Sequence, residues 1–240
     1  MGLGNVFLND LIELKQKGAL DGATRVMEIG AQQISDSLMI APGLPEAYRL
    51  FGCTSPPVLT PVGTENFTKS APFWSALGFA RSAIDVEGDA IRIDLNRGKV
   101  PRRLRCAFDL VVNAGTTEHV VNQDNAFRVM HDLTKVGGVM MHEVPAGGML
   151  THGVVSYNAQ FFWLLCRDNS YEVIDLTVSH AGDAPISSDV VASNAKYARS
   201  LNPIQTRLIV PIFLVTAILQ KNSRKTFVTP LDVPAEALRR

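Results

Sequence analysis

The sequence has no excess of charge of either sign. Its 240 residues contain 23 Lys and Arg against 23 Asp and Glu, so the formal net charge at pH 7 is zero. A balanced chain lacks the broad positive field on which non-specific nucleic-acid binding depends, which argues against a general nucleic-acid-binding function. A local basic run at 97–105 fits a solvated loop or a contact for an acidic substrate.

Cysteines are few, and long apolar runs are missing. Cys53, Cys106 and Cys166 are far apart and odd in number, which argues against a disulfide framework or a CxxC metal site and for a reducing compartment. The longest apolar run, 208–219, is too short for a membrane-spanning helix, which needs about 20 residues. The first ten residues lack the cationic and apolar pattern of a secretory signal. We therefore expect a cytoplasmic protein without a membrane partner.

Strands alternate with helices along most of the chain. Periodicity predicts helices over 5–17, 122–135 and 157–168. Strand character marks seven segments: 24–29, 81–85, 91–95, 108–113, 139–144, 171–178 and 206–219. Strands that alternate with helices imply crossover connections and a parallel sheet covered on both faces. The sequence therefore predicts a single doubly wound α/β domain with a mainly parallel, seven-stranded sheet.

Two stretches interrupt this alternation. The segment 42–70 is rich in proline and is predicted to be an insertion that contains a short helix at 44–51; a further helix, 71–79, leads into the second strand. The segment 181–205 is predicted to be a second insertion, with a helix over 188–200. Long connections in compact domains often serve as lids or binding loops.

Polar residues follow the predicted strands. Glu28 precedes Gly30 at the first strand end, Asp85 ends the second strand, and Asp94 lies near the end of the third. In doubly wound sheets, ligands bind beyond the carboxyl ends of the strands. Glycine lets the backbone approach a ligand, a carboxylate suits a ribose diol, and Asp94 is placed to accept from an exocyclic amine such as that of adenine. Ordinary turn formation explains each residue separately as well.

In this order, the segments resemble the class I S-adenosylmethionine-dependent methyltransferases over about 24–178. The resemblance depends on Glu28-Ile29-Gly30, Ile84-Asp85, Asp94-Leu95-Asn96, FDLVVNAGTTEHV at 108–120, and the helix leading into LTKVGGVMMHEVP at 133–145. It implies a Rossmann-like fold with an antiparallel last strand at 206–219. It also implies S-adenosylmethionine as the cofactor and in-line transfer of its methyl group to a small-molecule acceptor.

The same resemblance implies which residues surround the cofactor. The methionine end of the cofactor is expected at Glu28, Gly30, Ala31 and Gln32. The ribose is expected at Asp85 and Val86, and the adenine at Asp94 and Leu95. The sulfonium is expected above Asn113, Ala114 and Gly115, and His119 is expected to form a further wall of the site.

Methyl transfer to a hydroxyl or amine also needs a base whose pKa is near the working pH, and histidine suits this task. His142 ends the fifth predicted strand, and His152 lies in the glycine-rich loop 146–153. We take these two histidines as the candidate catalytic bases. A metal site built from Glu118, His119, His142, Glu143 and His152 is the alternative, but no spacing such as HExxH supports it, so no metal is predicted.

One departure from the family pattern opens another alternative. Where methyltransferases continue ExGxGxG, this chain has Gln32 and Ile34. The side chain of Gln32 is larger than that of glycine and leaves less room for a ligand beside the loop. This departure also fits a non-catalytic protein with the methyltransferase fold, which binds a partner or acts as a scaffold. A nicotinamide-dependent oxidoreductase is disfavoured, since it expects GxGxxG with an acidic residue about 20 positions later.

Overall fold

The computed structural model describes residues 2–59, 67–86, 90–149, 152–186 and 208–233. The helices are α1 (Asn5–Gln16), α2 (Asp36–Met39), α3 (Leu44–Leu50), α4 (Ala71–Ala76), α5 (Gln123–Leu133) and α6 (Ala159–Asn169), with 3₁₀ turns at Arg102–Leu104 and Thr117–His119. The strands are β1 (Arg25–Ile29), β2 (Gln33–Ser35), β3 (Phe67–Lys69), β4 (Ala80–Ile84), β5 (Phe108–Ala114), β6 (Thr134–Gly147), β7 (Tyr171–Ile186) and β8 (Leu208–Lys221).

Six strands form the main sheet, in the order β4-β1-β5-β6-β8-β7. Strands β4, β1, β5 and β6 are parallel, whereas β8 runs antiparallel to both β6 and β7. The strand order reverses between β1 and β5, the position at which doubly wound sheets bind ligands. The predicted doubly wound α/β fold with an antiparallel last strand is confirmed.

The predicted count of seven strands is wrong, because 91–95 does not form one. Among these residues only Ile91 makes a bridge, to Ile84 at the edge of the sheet. The chain then turns at once. The backbone oxygen of Asp94 accepts from the backbone amides of Arg97 and Gly98, and the Asp94 carboxylate accepts from the backbone amide of Asn96. These bonds within the turn leave little backbone for pairing with β4.

The last two strands form a much longer hairpin than the sequence predicts. The pairing of β7 with β8 extends to Ile186 opposite Leu208. Residues 181–186, which the sequence assigns to an insertion, are therefore part of β7, because strand pairing with β8 overrides the local turn residues. The predicted helix at 188–200 lies outside the described residues.

The proline-rich segment contains regular structure. Helix α3 occupies most of the predicted helix at 44–51, and α4 is shorter than the predicted 71–79. Strand β3, which the sequence did not predict, pairs antiparallel with β2 in a small separate sheet. Three-residue strands carry too weak an alternation pattern to be recognised in a sequence.

The main sheet is buried on both faces. Side chains of β1 alternate between them, with Val26 on the face covered by α1 and α4, and Met27 on the face covered by α5 and α6. Each apolar side chain fully buried in this way contributes about 1.5–3 kcal/mol. Helices α5 and α6 are preceded by the N-cap residues Asn122 and Asn158, whose side chains accept from backbone amides of the first turn.

Among the described residues, no helix is both long and apolar enough to cross a membrane.

Candidate functional site

A cleft of about 530 Å³ opens beyond the carboxyl ends of β1, β4 and β5. Its lining contains nine of the residues that the sequence assigns to a cofactor: Gly30, Ala31, Gln32, Asp85, Val86, Asp94, Leu95, Gly115 and His119. Six further residues complete it: Gln33, Ile84, Ile93, Asn96, Thr116 and Val120. The fold thus brings together segments that are separated by as many as ninety positions.

Glu28, by contrast, lies behind the cleft wall. Its carboxylate is fully buried and accepts from the indole of Trp74 at 2.6 Å, from the backbone of Gln32 at 3.1 Å and from the guanidinium of Arg81 at 2.6 Å. Burial raises the pKa of Glu28, and Arg81 opposes that shift. In this arrangement Glu28 positions the loop after β1, because its carboxylate accepts from the backbone amide of Gln32 in that loop.

Gly30 allows two loops to approach each other closely. Its φ of +76° favours glycine, and a Cβ built at this position would lie 2.4 Å from Oγ1 of Thr116. Its amide donates to the backbone oxygen of Ile84 at 2.8 Å. The loop after β1 is therefore held against both β4 and the loop after β5.

Gln32 occupies the position of the second family glycine, yet its side chain folds back into the protein. Nε2 donates to the backbone oxygen of Ile29 at 2.8 Å and to Oγ1 of Thr116 at 3.2 Å. The residue is almost completely buried, although part of it lines the cleft. The cleft beside Gln32 remains open because the amide points into the loop.

Asp85 lies at the end of β4 and faces the loop after β1. Its carboxylate accepts from the amides of Ala31 at 2.7 Å and Val86 at 2.6 Å. A carboxylate has about four lone-pair sites and accepts several hydrogen bonds at once. Asp85 therefore links the two loops that form one side of the cleft.

The segment 94–98 forms the opposite side of the cleft. The side chain of Asn125, on α5, donates to the backbone oxygens of Leu95 and Gly98 at 3.0 Å each. Asn122 donates to the side chain and backbone of Asn96. Asp94 is exposed and Leu95 partly buried in this turn, so α5 holds a polar and an apolar group beside one another on the cleft wall.

Asn113 and Ala114 end β5 beneath the cleft and do not line it. Asn113 donates to Oγ1 of Thr117 at 2.9 Å and accepts from the backbone of Thr117 at 3.2 Å. The hydroxyl of Tyr157 also donates to Oγ1 of Thr117, at 2.8 Å. This buried network fixes the 3₁₀ turn that follows β5.

His142 lies in the core on the side of α5 and α6. It is 1% exposed and packs against the rings of Phe127 and Phe162, and its Nδ1 lies 3.3 Å from Nδ2 of Asn113. Burial lowers the pKa of His142 to about 3, so its imidazole is neutral. The structure does not bring this candidate base to the cleft, because alternation along β6 turns it away.

His152 lies at the edge of the cleft, beside His119. Its Nε2 lies 3.2 Å from Oε1 of Glu118, and the rings of His152 and His119 are 4.7 Å apart. Burial lowers the pKa of His119, while the nearby Glu118 opposes that shift. Of the two candidate bases, only His152 is next to a residue that lines the cleft.

Thr116 and Glu118 belong to the candidate site, although the sequence did not predict either of them as a site residue. Both belong to the TTEHV segment at 116–120, in which the sequence gives Thr116 no role and places Glu118 only in the alternative metal site. Their position directly after a buried strand was the available signal, since strand ends meet at one edge of the sheet.

Comparison with solved structures identifies the same architecture in other proteins. A putative methyltransferase from Bacillus halodurans is similar, with a TM-score of 0.51, 11% identity, and coverage of 90% of this chain and 100% of that one. A SAM-dependent methyltransferase from Archaeoglobus fulgidus gives a TM-score of 0.45, 12% identity, and coverage of 89% and 93%. The 1,6-didemethyltoxoflavin-N1-methyltransferase of Burkholderia thailandensis, solved with bound 1,6-didemethyltoxoflavin and S-adenosylhomocysteine, gives a TM-score of 0.47 and 10% identity, with coverage of 90% of this chain and 78% of that one.

No family model and no curated protein sequence matches the chain. The likeness to the Bacillus halodurans structure covers 90% of this chain, at a TM-score of 0.51. The chain therefore shares the Rossmann-like α/β fold of this putative methyltransferase, which is the fold that the sequence resemblance implies.

Proposed function

We propose that this protein is an S-adenosylmethionine-dependent methyltransferase that moves a methyl group to a small-molecule acceptor. The observation that supports this most is the composition of the cleft. Residues 30–32, Asp85, Asp94, Leu95 and Gly115 line one cavity. The family resemblance assigns them to the methionine end, the ribose, the adenine and the sulfonium, so one cavity is lined by residues for every part of the cofactor.

Each contact has a physical basis. Gly30 and Ala31 expose backbone, Asp85 suits the two hydroxyls of a ribose, and Leu95 provides an apolar surface for a purine ring. The sulfonium is an activated leaving group, so the protein's main task is to hold nucleophile, methyl and sulfur in line. Of the two histidines that the sequence nominates as bases, His152 is the one that lies beside a residue of the cleft wall, His119.

Titration calorimetry with S-adenosylmethionine and S-adenosylhomocysteine tests the proposal. We expect both to bind, and Asp85→Ala to weaken binding about 10- to 100-fold, since hydrogen bonds to a charged acceptor contribute about 1.5–3 kcal/mol. Asp36→Ala is the matched control: it removes an exposed carboxylate that does not line the cleft. Undetectable binding of both compounds to the folded wild-type protein would overturn the proposal.

Gln32 favours a second candidate, a non-catalytic protein with the methyltransferase fold. Its buried amide replaces the second glycine of the family pattern and engages Thr116. The same calorimetry separates the two candidates, because a protein that has lost the cofactor would bind neither compound. The cytoplasmic location stays a prediction from the sequence.

A further inference from the structure

A cluster of two imidazoles and one carboxylate lies at the edge of the cleft. Glu118, His119 and His152 each offer one ligand atom within 4.8 Å of the other two. Nε2 of His152 lies 3.2 Å from Oε1 of Glu118, and Nε2 of His119 lies 3.8 Å from the same oxygen. Both imidazole nitrogens therefore converge on a single carboxylate.

The carboxylate of Glu118 is incompletely satisfied. Its side chain is fully buried, and its Oε2 atom has no hydrogen-bond partner within the described part of the chain. Among those residues no lysine or arginine pairs with it, either. Burying a carboxylate without a partner costs several kcal/mol. A simple hydrogen bond between His152 and Glu118 satisfies Oε1 and leaves this cost at Oε2.

Backbone contacts hold the two segments that carry these three side chains against each other. The backbone oxygen of Glu118 accepts from the amides of Val154 and Val155 at 2.7 and 3.0 Å. Gly153 passes so close that an added Cβ would lie 2.8 Å from Cγ of Glu118. The loop bearing His152 is thus clamped onto the turn that carries Glu118 and His119, which preorganises the cluster.

We propose that Glu118, His119 and His152 bind a divalent transition-metal ion of the zinc type. Two imidazoles and one carboxylate form a donor set found in catalytic zinc sites, and imidazole favours zinc over magnesium. Three protein ligands leave a coordination position for water or for an oxygen atom of a bound molecule. Because His119 also lines the cleft, the ion lies beside the space in which a ligand would bind.

Calorimetric titration of the EDTA-treated full-length chain with zinc chloride tests this site without any methyl donor. We expect one zinc ion per chain for the wild type and no comparable response to magnesium chloride. Cobalt chloride in place of zinc should give visible absorption bands of an ion held by nitrogen and oxygen ligands. The outcome is independent of the proposed methyltransferase function, which is measured by S-adenosylhomocysteine binding.

Variants locate the ion. His119→Ala and His152→Ala should each weaken zinc binding by at least roughly 100-fold, because loss of even an outer partner of a metal ligand costs about 10- to 100-fold. His180→Ala, which removes an exposed histidine on β7, is the matched control and should bind zinc like the wild type. Circular dichroism checks that each variant is folded. Absence of zinc binding by the wild type, or full binding by the folded double variant H119A/H152A, would overturn the proposal.

Discussion

Gln32 donates a hydrogen bond from Nε2 to Oγ1 of Thr116 at 3.2 Å and so joins the loop after β1 to the loop after β5. The same nitrogen donates to the backbone oxygen of Ile29 at 2.8 Å. The side chain that departs from the family pattern is therefore part of the structure that holds the cleft wall.

Replacement of this side chain should lower stability. Gln32→Ala removes both bonds and leaves the oxygen of Ile29 without this donor, so we expect a loss of about 1–3 kcal/mol in the free energy of unfolding. Urea unfolding followed by circular dichroism measures it. Gln33→Ala, at the exposed neighbouring position, should unfold like the wild type. Equal midpoints for all three proteins would contradict the structural role of Gln32.

Gly30→Ala should lower the free energy of unfolding more than Gly52→Ala does. Both glycines have a positive φ, +76° and +74°, so alanine at either position costs about 1–2 kcal/mol from backbone strain alone. A Cβ meets nothing within 4 Å at Gly52, but lies 2.4 Å from Oγ1 of Thr116 at Gly30. We expect Gly30→Ala to lose about 1–3 kcal/mol more than Gly52→Ala, as overpacking does.

A double variant isolates the cause of this difference. Thr116→Ala removes the hydroxyl and methyl that the new Cβ would meet, so it should recover part of the stability lost in Gly30→Ala. Urea unfolding of both single variants and the double variant gives the coupling energy. Strict additivity would show that the close approach of Gly30 and Thr116 does not limit this position.

Arg81 should stabilise the fold through Glu28. Arg81→Met leaves the buried carboxylate without its counterion, and breaking such a pair costs about 3–5 kcal/mol. Burial already raises the pKa of Glu28, and loss of Arg81 raises it further. A carboxyl group whose pKa is raised on folding destabilises the folded protein once the pH rises above the ordinary pKa of that group, which is 4.5 for glutamate.

The loss in free energy of unfolding caused by Arg81→Met should therefore be small near pH 4 and large at pH 7. Thermal or urea unfolding across this range measures it. Arg49→Met is the matched control: it removes an arginine whose bonds to Glu46 are exposed, so it should unfold like the wild type at each pH. A pH-independent deficit in Arg81→Met would refute the role of the Glu28 charge.

Glu143 should make the wild type less stable as pH rises. Burial, with a contribution from Asp10, raises the pKa of Glu143 from 4.5 to about 7. The folded state therefore holds a proton that the unfolded chain releases, and stability falls between about pH 4.5 and pH 7. Glu143→Gln removes this titration, so we expect it to be more stable than the wild type at pH 8, with a flatter pH profile.

Urea unfolding at several pH values tests this expectation. Glu172→Gln, at an exposed position on β7, is the matched control and should keep the wild-type profile. An unchanged profile in Glu143→Gln would assign the pH dependence to other groups, of which Asp10, with a pKa raised to about 6, is the first to examine.

The strand ends were predictable because the sheet is built from local patterns. Apolar runs such as 108–113 mark buried strands, and in a parallel sheet their carboxyl ends meet at one edge. Asp85 and Gly115 could therefore be assigned to one cleft from the sequence. The hairpin of β7 and β8 could not be delimited, because its pairing beyond residue 178 depends on contacts between distant segments.

By itself, the sequence determined the doubly wound fold, because periodicity is a local signal. Its resemblance to a known family implied nine of the residues that line the cleft. Only the tertiary structure decided which side chains reach the cleft. Alternation along β6 turns His142 into the core, and the network around Glu28 makes that carboxylate a support for the loop. The approach of Gly153 to Glu118 also brings His152 beside His119, across a separation in sequence that no local pattern records.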